Sequence, residues 1–211
     1  MIKIDGVDFD ERIVVPYDPR QKRLYKARDG ASIYQKHRLR LGSGAEGRQS
    51  SGLFAEIAVR AALKECGCRV LISEPRVPDG FVLAHYSGYR ERGHKSYTRM
   101  FEYFDSNQIE KFNKVADQRK KEGDQREIDR KKRKRLKTKA GPTRGGGDPD
   151  LFVVRGDGTC FFVEVKDKGD TVRMKQGVVF PLIRRMLECE VWLAQLEAVP
   201  GARPSHFELP R

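Results

Sequence analysis

Hydrophobic positions follow a helical period in one stretch of the chain that begins near Ser51. Apolar residues recur there at three- and four-residue spacing, and Gly67 stands where such a helix would end. These residues are Leu53, Phe54, Ile57, Ala58, Ala61, Ala62 and Leu63. An apolar run at residues 69–72 follows and ends before Pro75, which predicts a strand. We therefore expect residues 51–78 to form the first part of an α/β core.

The last third of the chain carries the most regular pattern. Two apolar runs flank a Gly-Asp-Gly turn, which predicts a β-hairpin, and a helix and a final strand follow. The predicted strands cover residues 151–154, 160–165 and 191–196, and the predicted helix covers residues 171–187. We assign residues 148–198 to the second part of the core and residues 199–211 to an irregular tail. The order of helix, strand, insertion, hairpin, helix and strand predicts a layered α/β domain with a mixed sheet.

Residues 1–50 have the pattern of an N-terminal extension. Alternating apolar residues predict a short strand or hairpin at its start, namely Ile2, Ile4, Val7 and Phe9. Pro16 and Pro19 argue against a long helix before residue 20. The remainder of the extension is expected to be irregular.

Residues 79–147 form an insertion between the two parts of the core. Residues 81–86 have the composition of a strand, and residues 107–139 have that of a long, highly charged helix, which Gly123 could divide in two. Residues 140–147 contain four glycines and one proline, which predicts a flexible connection. The insertion is therefore expected to be mostly helical.

Charge is concentrated in the same insertion. The 211-residue chain has a formal net charge of +13, and residues 111–139 contain 14 Lys or Arg against 5 Asp or Glu. Such a field attracts a polyanion, and we expect this segment to bind DNA, with the densest group of cations at its centre. This group consists of Arg130, Lys131, Lys132, Arg133, Lys134 and Arg135. A solvated charged helix would have the same composition, whereas few apolar side chains are available for a membrane surface.

Apolar runs and cysteines limit the cellular setting. No run approaches the roughly 20 apolar residues that cross a bilayer, and Met1 to Asp5 lack the apolar stretch of a secretory signal. We expect a soluble, cytoplasmic protein with no membrane partner. Its four cysteines are expected to be reduced, and no second Cys/His pair accompanies Cys66 and Cys68 to complete a zinc site.

The predicted hairpin carries the candidate chemistry. Asp150 begins one strand, and Glu164 and Lys166 end the other. Side chains alternate along a strand, so Glu164 and Lys166 share a face while Val165 points away, and Asp150 can converge on them from the neighbouring strand. Two carboxylates provide the hard oxygen ligands that Mg²⁺ or Mn²⁺ prefers, and Lys166 can orient water or stabilise charge on a phosphate. A surface Glu–Lys pair at a strand end would show the same residues.

The surrounding residues resemble the PD-(D/E)XK nuclease superfamily, and its VRR-NUC branch most of all. The matching segments are residues 147–152 (GDPDLF), residues 161–166 (FFVEVK), Gly169-Asp170 and Gln176. The likeness covers residues 145–198 well and residues 51–75 loosely. It implies a restriction-endonuclease-like core with Asp150 and Glu164 as ligands of Mg²⁺ or Mn²⁺ and Lys166 as base or electrostatic stabiliser. It also implies that Gln176 lies beside the site.

The resemblance leaves some positions open. An acidic residue on the first helix often completes such sites, which implies Glu56, with Glu65 as a weaker candidate. A solvated residue on an amphipathic helix is the alternative for Glu56. Asp148 is close enough to be mistaken for the ligand, but Asp150 fits the motif better. About 70 residues separate the first strand from the Pro-Asp strand, whereas this link is usually short in the branch.

Three functions are compatible with these observations. The first is a metal-dependent DNA endonuclease that is structure-specific or associated with replication and repair. The second is a sequence-specific restriction endonuclease on the same core, in which the insertion would read bases. The third is a nucleic-acid-binding protein that does not cut. Cutting both strands of a duplex often requires two active sites, which would fit a homodimer.

Overall fold

The computed structural model describes residues 1–37, 53–74, 77–83, 95–133 and 147–210. The helices are α1 (Pro19–Lys26), α2 (Leu53–Glu65), α3 (Lys95–Thr98), α4 (Ser106–Arg133) and α5 (Met174–Leu182). The strands are β1 (Ile2–Ile4), β2 (Val7–Phe9), β3 (Arg12–Tyr17), β4 (Arg69–Ile72), β5 (Leu151–Val154), β6 (Cys160–Lys166) and β7 (Glu190–Ala198). Single 3₁₀ turns cover Gln35–His37, Arg99–Glu102 and Pro204–His206, and a π-helical turn, Ile183–Leu187, continues α5.

A five-stranded mixed sheet organises the domain in the order β3-β7-β6-β5-β4. Strand β5 is antiparallel to both of its neighbours, β4 and β6, whereas β6, β7 and β3 run parallel. The predicted hairpin is confirmed, with Leu151 of β5 opposite Val163 of β6. Asp150 directly precedes Leu151, and Glu164 directly follows Val163. The register therefore brings the two carboxylates together at one end of the sheet.

Helix α2 covers one face of this sheet, as the apolar pattern predicts. It packs on the odd-numbered positions of β6, including Val163 and Val165. Small residues on its buried side, Ala58 and Ala61, allow the helix to approach the strands closely. The helix ends before Gly67, whose φ of +80° lies in the left-handed region that favours glycine.

Helices α4 and α5 cover the opposite face, and this part of the fold differs from the prediction. Ile109, Phe112 and Ala116 of α4 are completely buried against the even-numbered positions of β5 and β6. The first half of α4 therefore belongs to the core, and the insertion is not an appended segment. The helix also continues through Gly123, because a single glycine costs only about 1 kcal/mol in a helix of 28 residues.

The predicted strand at residues 81–86 is wrong for the part that the structure describes. Residues 81–83 form no strand; the main chain of Phe81 instead donates to Ile72 O at 2.9 Å, and that of Val82 donates to Ser96 O at 3.0 Å. The side chains of Phe81 and Leu83 are instead buried together with those of α4 and α5. Residues 84–86 and the predicted connection at residues 140–146 lie outside the described residues.

The N-terminal segment is more ordered than an extension. The hairpin of β1 and β2 is confirmed, but β3 pairs with β7 as an edge strand of the central sheet. Ile13, Val15 and Tyr17 of β3 are buried, and the edge position accommodates Pro16, which has no N–H to donate. Helix α1 follows at once, and residues 1–37 therefore form part of the domain.

Two further expectations concern thiols and membranes. All four cysteines are free thiols in the structure, and Cys68 and Cys189 are buried. Within the described ranges, the structure contains no helix with both the length and the apolar character needed to cross a bilayer.

Candidate functional site

The predicted trio lies together at the end of the β5–β6 hairpin. Asp150 Oδ2 accepts a hydrogen bond from the main chain of Val165 at 2.8 Å, which fixes the first carboxylate against β6. Lys166 Nζ donates to Glu164 Oε1 at 2.6 Å. Glu164 is only 1% exposed, whereas Val165 points into the core beneath α2. The strand alternation expected from the sequence therefore produces this arrangement.

The two carboxylates of the hairpin have too little positive charge nearby to balance their negative charges. Burial and the neighbouring Asp150 raise the pKa of Glu164 from 4.5 to about 8, although Lys166 opposes the increase. Burial also raises the pKa of Asp150, against the hydrogen bond from Val165 and the charges of Lys166 and Arg173. Glu164 Oε2 is buried and has no hydrogen-bond partner among the described residues. Such a site favours any ligand that brings positive charge.

A third carboxylate, Glu56, enters from the first turn of α2. Its pKa is raised well above the usual value by burial first, and then by the negative charges of Asp150, Glu164 and Glu74. Although the residue is partly exposed, its carboxylate is withdrawn from solvent and faces the other two. Glu65 lies nine residues further along α2, about 13 Å away at 1.5 Å per residue, and pairs with Lys36. The structure therefore brings Glu56, and not Glu65, to the trio.

The beginning of α5 adds two residues to the site. Gln176 is buried; its Oε1 accepts from the main chain of Arg173 at 2.7 Å, and its side chain lowers the pKa of Glu164. Among the described residues, neither Gln176 nor any other residue forms a hydrogen bond with Glu164 Oε2. Arg173 is exposed, and its charge lowers the pKa values of Asp150 and Glu56. Gln176 was expected beside the site, whereas nothing in the sequence pattern singled out Arg173.

Asp148 has a different environment from Asp150. It is buried, and its Oδ2 accepts a hydrogen bond from the main chain of Leu83 at 3.1 Å. This bond ties the residues before β5 to the segment that leaves β4. Both aspartates thus accept a main-chain hydrogen bond, but Asp150 is the one that interacts with Glu164.

The donor set of the site suits a hard divalent cation. In the described part of the chain, no group of three or more His, Cys, Asp or Glu side chains is already arranged around a metal position. The site nevertheless contains three mutually repelling carboxylates and one buried carboxylate oxygen without a donor. These are oxygen ligands of the kind that Mg²⁺ and Mn²⁺ take, so Asp150, Glu164 and Glu56 are the residues that could hold such an ion.

Four of the six predicted DNA-binding residues belong to the C-terminal end of α4. Arg130, Lys131, Lys132 and Arg133 are in the last turns of this helix, but their side chains are outside the described part of the structure. Lys134 and Arg135 lie outside the described residues altogether. The role of this basic run stays a prediction.

Comparisons with known proteins identified no relative of this chain. The chain matches no protein-family model, and no curated protein or solved structure is significantly similar to it. The likeness to a nuclease superfamily therefore depends on the motif residues themselves.

Proposed function

We propose that this protein is a divalent-metal-dependent DNA endonuclease whose active site contains Asp150, Glu164 and Lys166. The observation that carries the proposal is the convergence of three buried carboxylates beside a single lysine at one end of a hairpin. Such a cluster destabilises the folded state, because the negative charges repel one another and lose their hydration when they are buried. A cluster of this kind is typical of sites where function requires a charged ligand.

Each residue has a role that follows from its position. Asp150, Glu164 and Glu56 would hold Mg²⁺ or Mn²⁺, which when bound lowers the pKa of a coordinated water and neutralises charge on a phosphate. Lys166 Nζ lies 2.6 Å from Glu164 Oε1, where it would orient the attacking water or stabilise charge on a phosphate oxygen. Gln176 supports Glu164 from α5, and its own orientation is fixed by the main chain of Arg173.

The substrate part of the proposal concerns DNA with an unusual structure, such as a flap or junction. The segment 111–139 has a surplus of nine positive charges. Long basic segments of this kind bind mainly through phosphates, and such contacts position a protein without reading sequence. We therefore favour structure-specific cleavage of the type used in replication and repair over sequence-specific restriction.

A substrate panel tests this proposal. Linear plasmid, single strands, flaps and four-way junctions are incubated with the protein in Mg²⁺, in Mn²⁺ and in EDTA. We expect metal-dependent cutting of flaps or junctions in preference to plain duplex. Discrete bands from linear plasmid would favour restriction. Binding without cutting in either metal would indicate a nucleic-acid-binding protein and would contradict the proposal.

A further inference from the structure

Helix α1 lies at the same end of the sheet as the candidate active site. In the parallel part of the sheet, Val14 of β3 and Lys166 of β6 are both paired with Gln195 of β7, so they are level with each other. Strand β3 then continues to Tyr17 and leads into α1 at Pro19. The helix therefore lies beyond the carboxyl end of β6, the strand that carries Glu164 and Lys166.

Direct contacts hold α1 against the site. Lys22 forms an ion pair with Asp167, the residue that follows Lys166, and its ammonium lies 5.1 Å from the centre of the Tyr17 ring. Tyr25 packs on Phe54 of α2 with ring centroids 5.5 Å apart, two residues before Glu56. The helix thus contacts α2, which supplies Glu56, and the residue that follows β6, which supplies Glu164, and these contacts fix its position relative to the site.

The solvent-facing side of α1 is positively charged. Arg20, Arg23 and Lys26 are exposed and follow one another at three-residue spacing, so they form a ridge with steps of about 4.5 Å along the helix. Helix α1 contains no acidic residue, and none of these three cations pairs with a carboxylate of the described residues. The flanking Asp18 and Asp29 accept hydrogen bonds from the main chain of Arg20 and Ala31, at 2.9 Å each.

We propose that this ridge of α1, Arg20, Arg23 and Lys26, binds the phosphate backbone of the nucleic-acid substrate next to the active site. The inference rests on the proposed nuclease function and adds a binding surface outside the basic insertion. Beside Asp150, exposed Arg173 provides a further positive charge, which lowers the pKa of that carboxyl group. Cations on this ridge contact phosphates and not base edges, so the surface would position the strand for cleavage without selecting a sequence.

A pair of charge-matched variants tests the ridge. Arg20→Gln/Arg23→Gln removes two charges from α1, and Lys64→Gln/Arg69→Gln removes two exposed charges at the opposite end of the sheet. Glutamine is a good helix former, so helix propensity is preserved at the three helical positions, whereas Arg69 lies in strand β4. Binding of a fluorescent duplex is measured by anisotropy in EDTA over a range of salt concentrations. We expect the α1 variant to reduce the slope of log Kd against log salt by about 1.8 and to weaken binding by about 60-fold near 0.1 M salt.

The control variant should change the slope by less than half as much. Equal slopes for the two variants, or wild-type binding by the α1 variant, would overturn the inference, provided that circular dichroism shows both to be folded. No binding by the wild type would overturn it as well. Because the measurement needs neither metal nor cutting, it is separable from the nuclease proposal: a wild type that binds through α1 but never cuts would refute only the latter.

Discussion

Replacing Glu164 with glutamine should stabilise the metal-free protein while abolishing its activity. The neutral amide is nearly isosteric with the carboxylate, and its oxygen can still accept from Lys166 Nζ. The substitution removes a charge that burial and Asp150 disfavour, as the pKa increase from 4.5 to about 8 indicates. At 1.36 kcal/mol per pKa unit, this difference between the folded and unfolded pKa lowers the free energy of unfolding by about 3 kcal/mol at pH 7 and by about 5 kcal/mol well above pH 8.

The pH dependence has a definite sign. A carboxyl group whose folded pKa is raised releases its proton first in the unfolded chain, so the folded state loses stability as the pH rises from about 4.5 to about 8. We therefore expect Glu164→Gln and the wild type to be similarly stable at pH 5. At pH 8 the variant should be more stable. Since Lys166 loses its partner's charge, the net gain should be smaller than the full cost, about 1–3 kcal/mol.

Thermal unfolding in EDTA from pH 5 to pH 9 measures this difference. For a chain of this size, the gain corresponds to an increase in Tm of about 3–10 °C at pH 8. Added Mg²⁺ should raise the Tm of the wild type and have little effect on the variant. A variant that is less stable than the wild type at pH 8, or a difference that does not change with pH, would refute the electrostatic reasoning.

Four other substitutions separate chemistry from structure. Lys166→Met should lower kcat by at least about 100-fold while calorimetry shows Mn²⁺ affinity within about threefold of the wild type, because the lysine acts on water or phosphate; a large loss of affinity would contradict this role. Asp148→Asn should lower the unfolding free energy by about 1–2 kcal/mol with Mn²⁺ affinity retained, whereas Asp150→Asn should lose Mn²⁺ affinity, and the reverse result would exchange their roles. Phe162→Ala should cost about 3–5 kcal/mol in chemical denaturation because its ring is completely buried, and a cost below 1 kcal/mol would contradict this packing.

Local patterns in the sequence were sufficient to predict the elements that carry the trio. The hairpin and α2 have strong periodicity and clear stop signals, and alternation along β6 places Glu164 and Lys166 on one face. The burial of α4 was not predictable in the same way. Its few apolar residues, such as Ile109 and Phe112, follow helical spacing. They stand among so many charged residues that the sequence pattern did not indicate a buried face.

Other features depend on contacts between distant parts of the chain. The pairing of β3 with β7 is parallel, so no turn signal connects the two strands, and the ion pair of Lys22 with Asp167 joins residues 145 positions apart. Arg173 is likewise recognisable only once α5 is placed beside the carboxylates. The sequence motif was sufficient to predict the candidate site residues, but the residues that contact them could be identified only from the tertiary structure.

The rate of Mg²⁺-dependent phosphodiester cleavage under single-turnover conditions tests the central claim most directly. The wild type, Glu164→Gln and the surface control Glu65→Gln are compared on the best substrate of the panel, with EDTA as the blank. The account predicts cleavage by the wild type and the control, and a loss of at least about 1,000-fold in Glu164→Gln, because that variant lacks a carboxylate ligand. Equal rates in the wild type and Glu164→Gln, or cleavage that persists in EDTA, would contradict it.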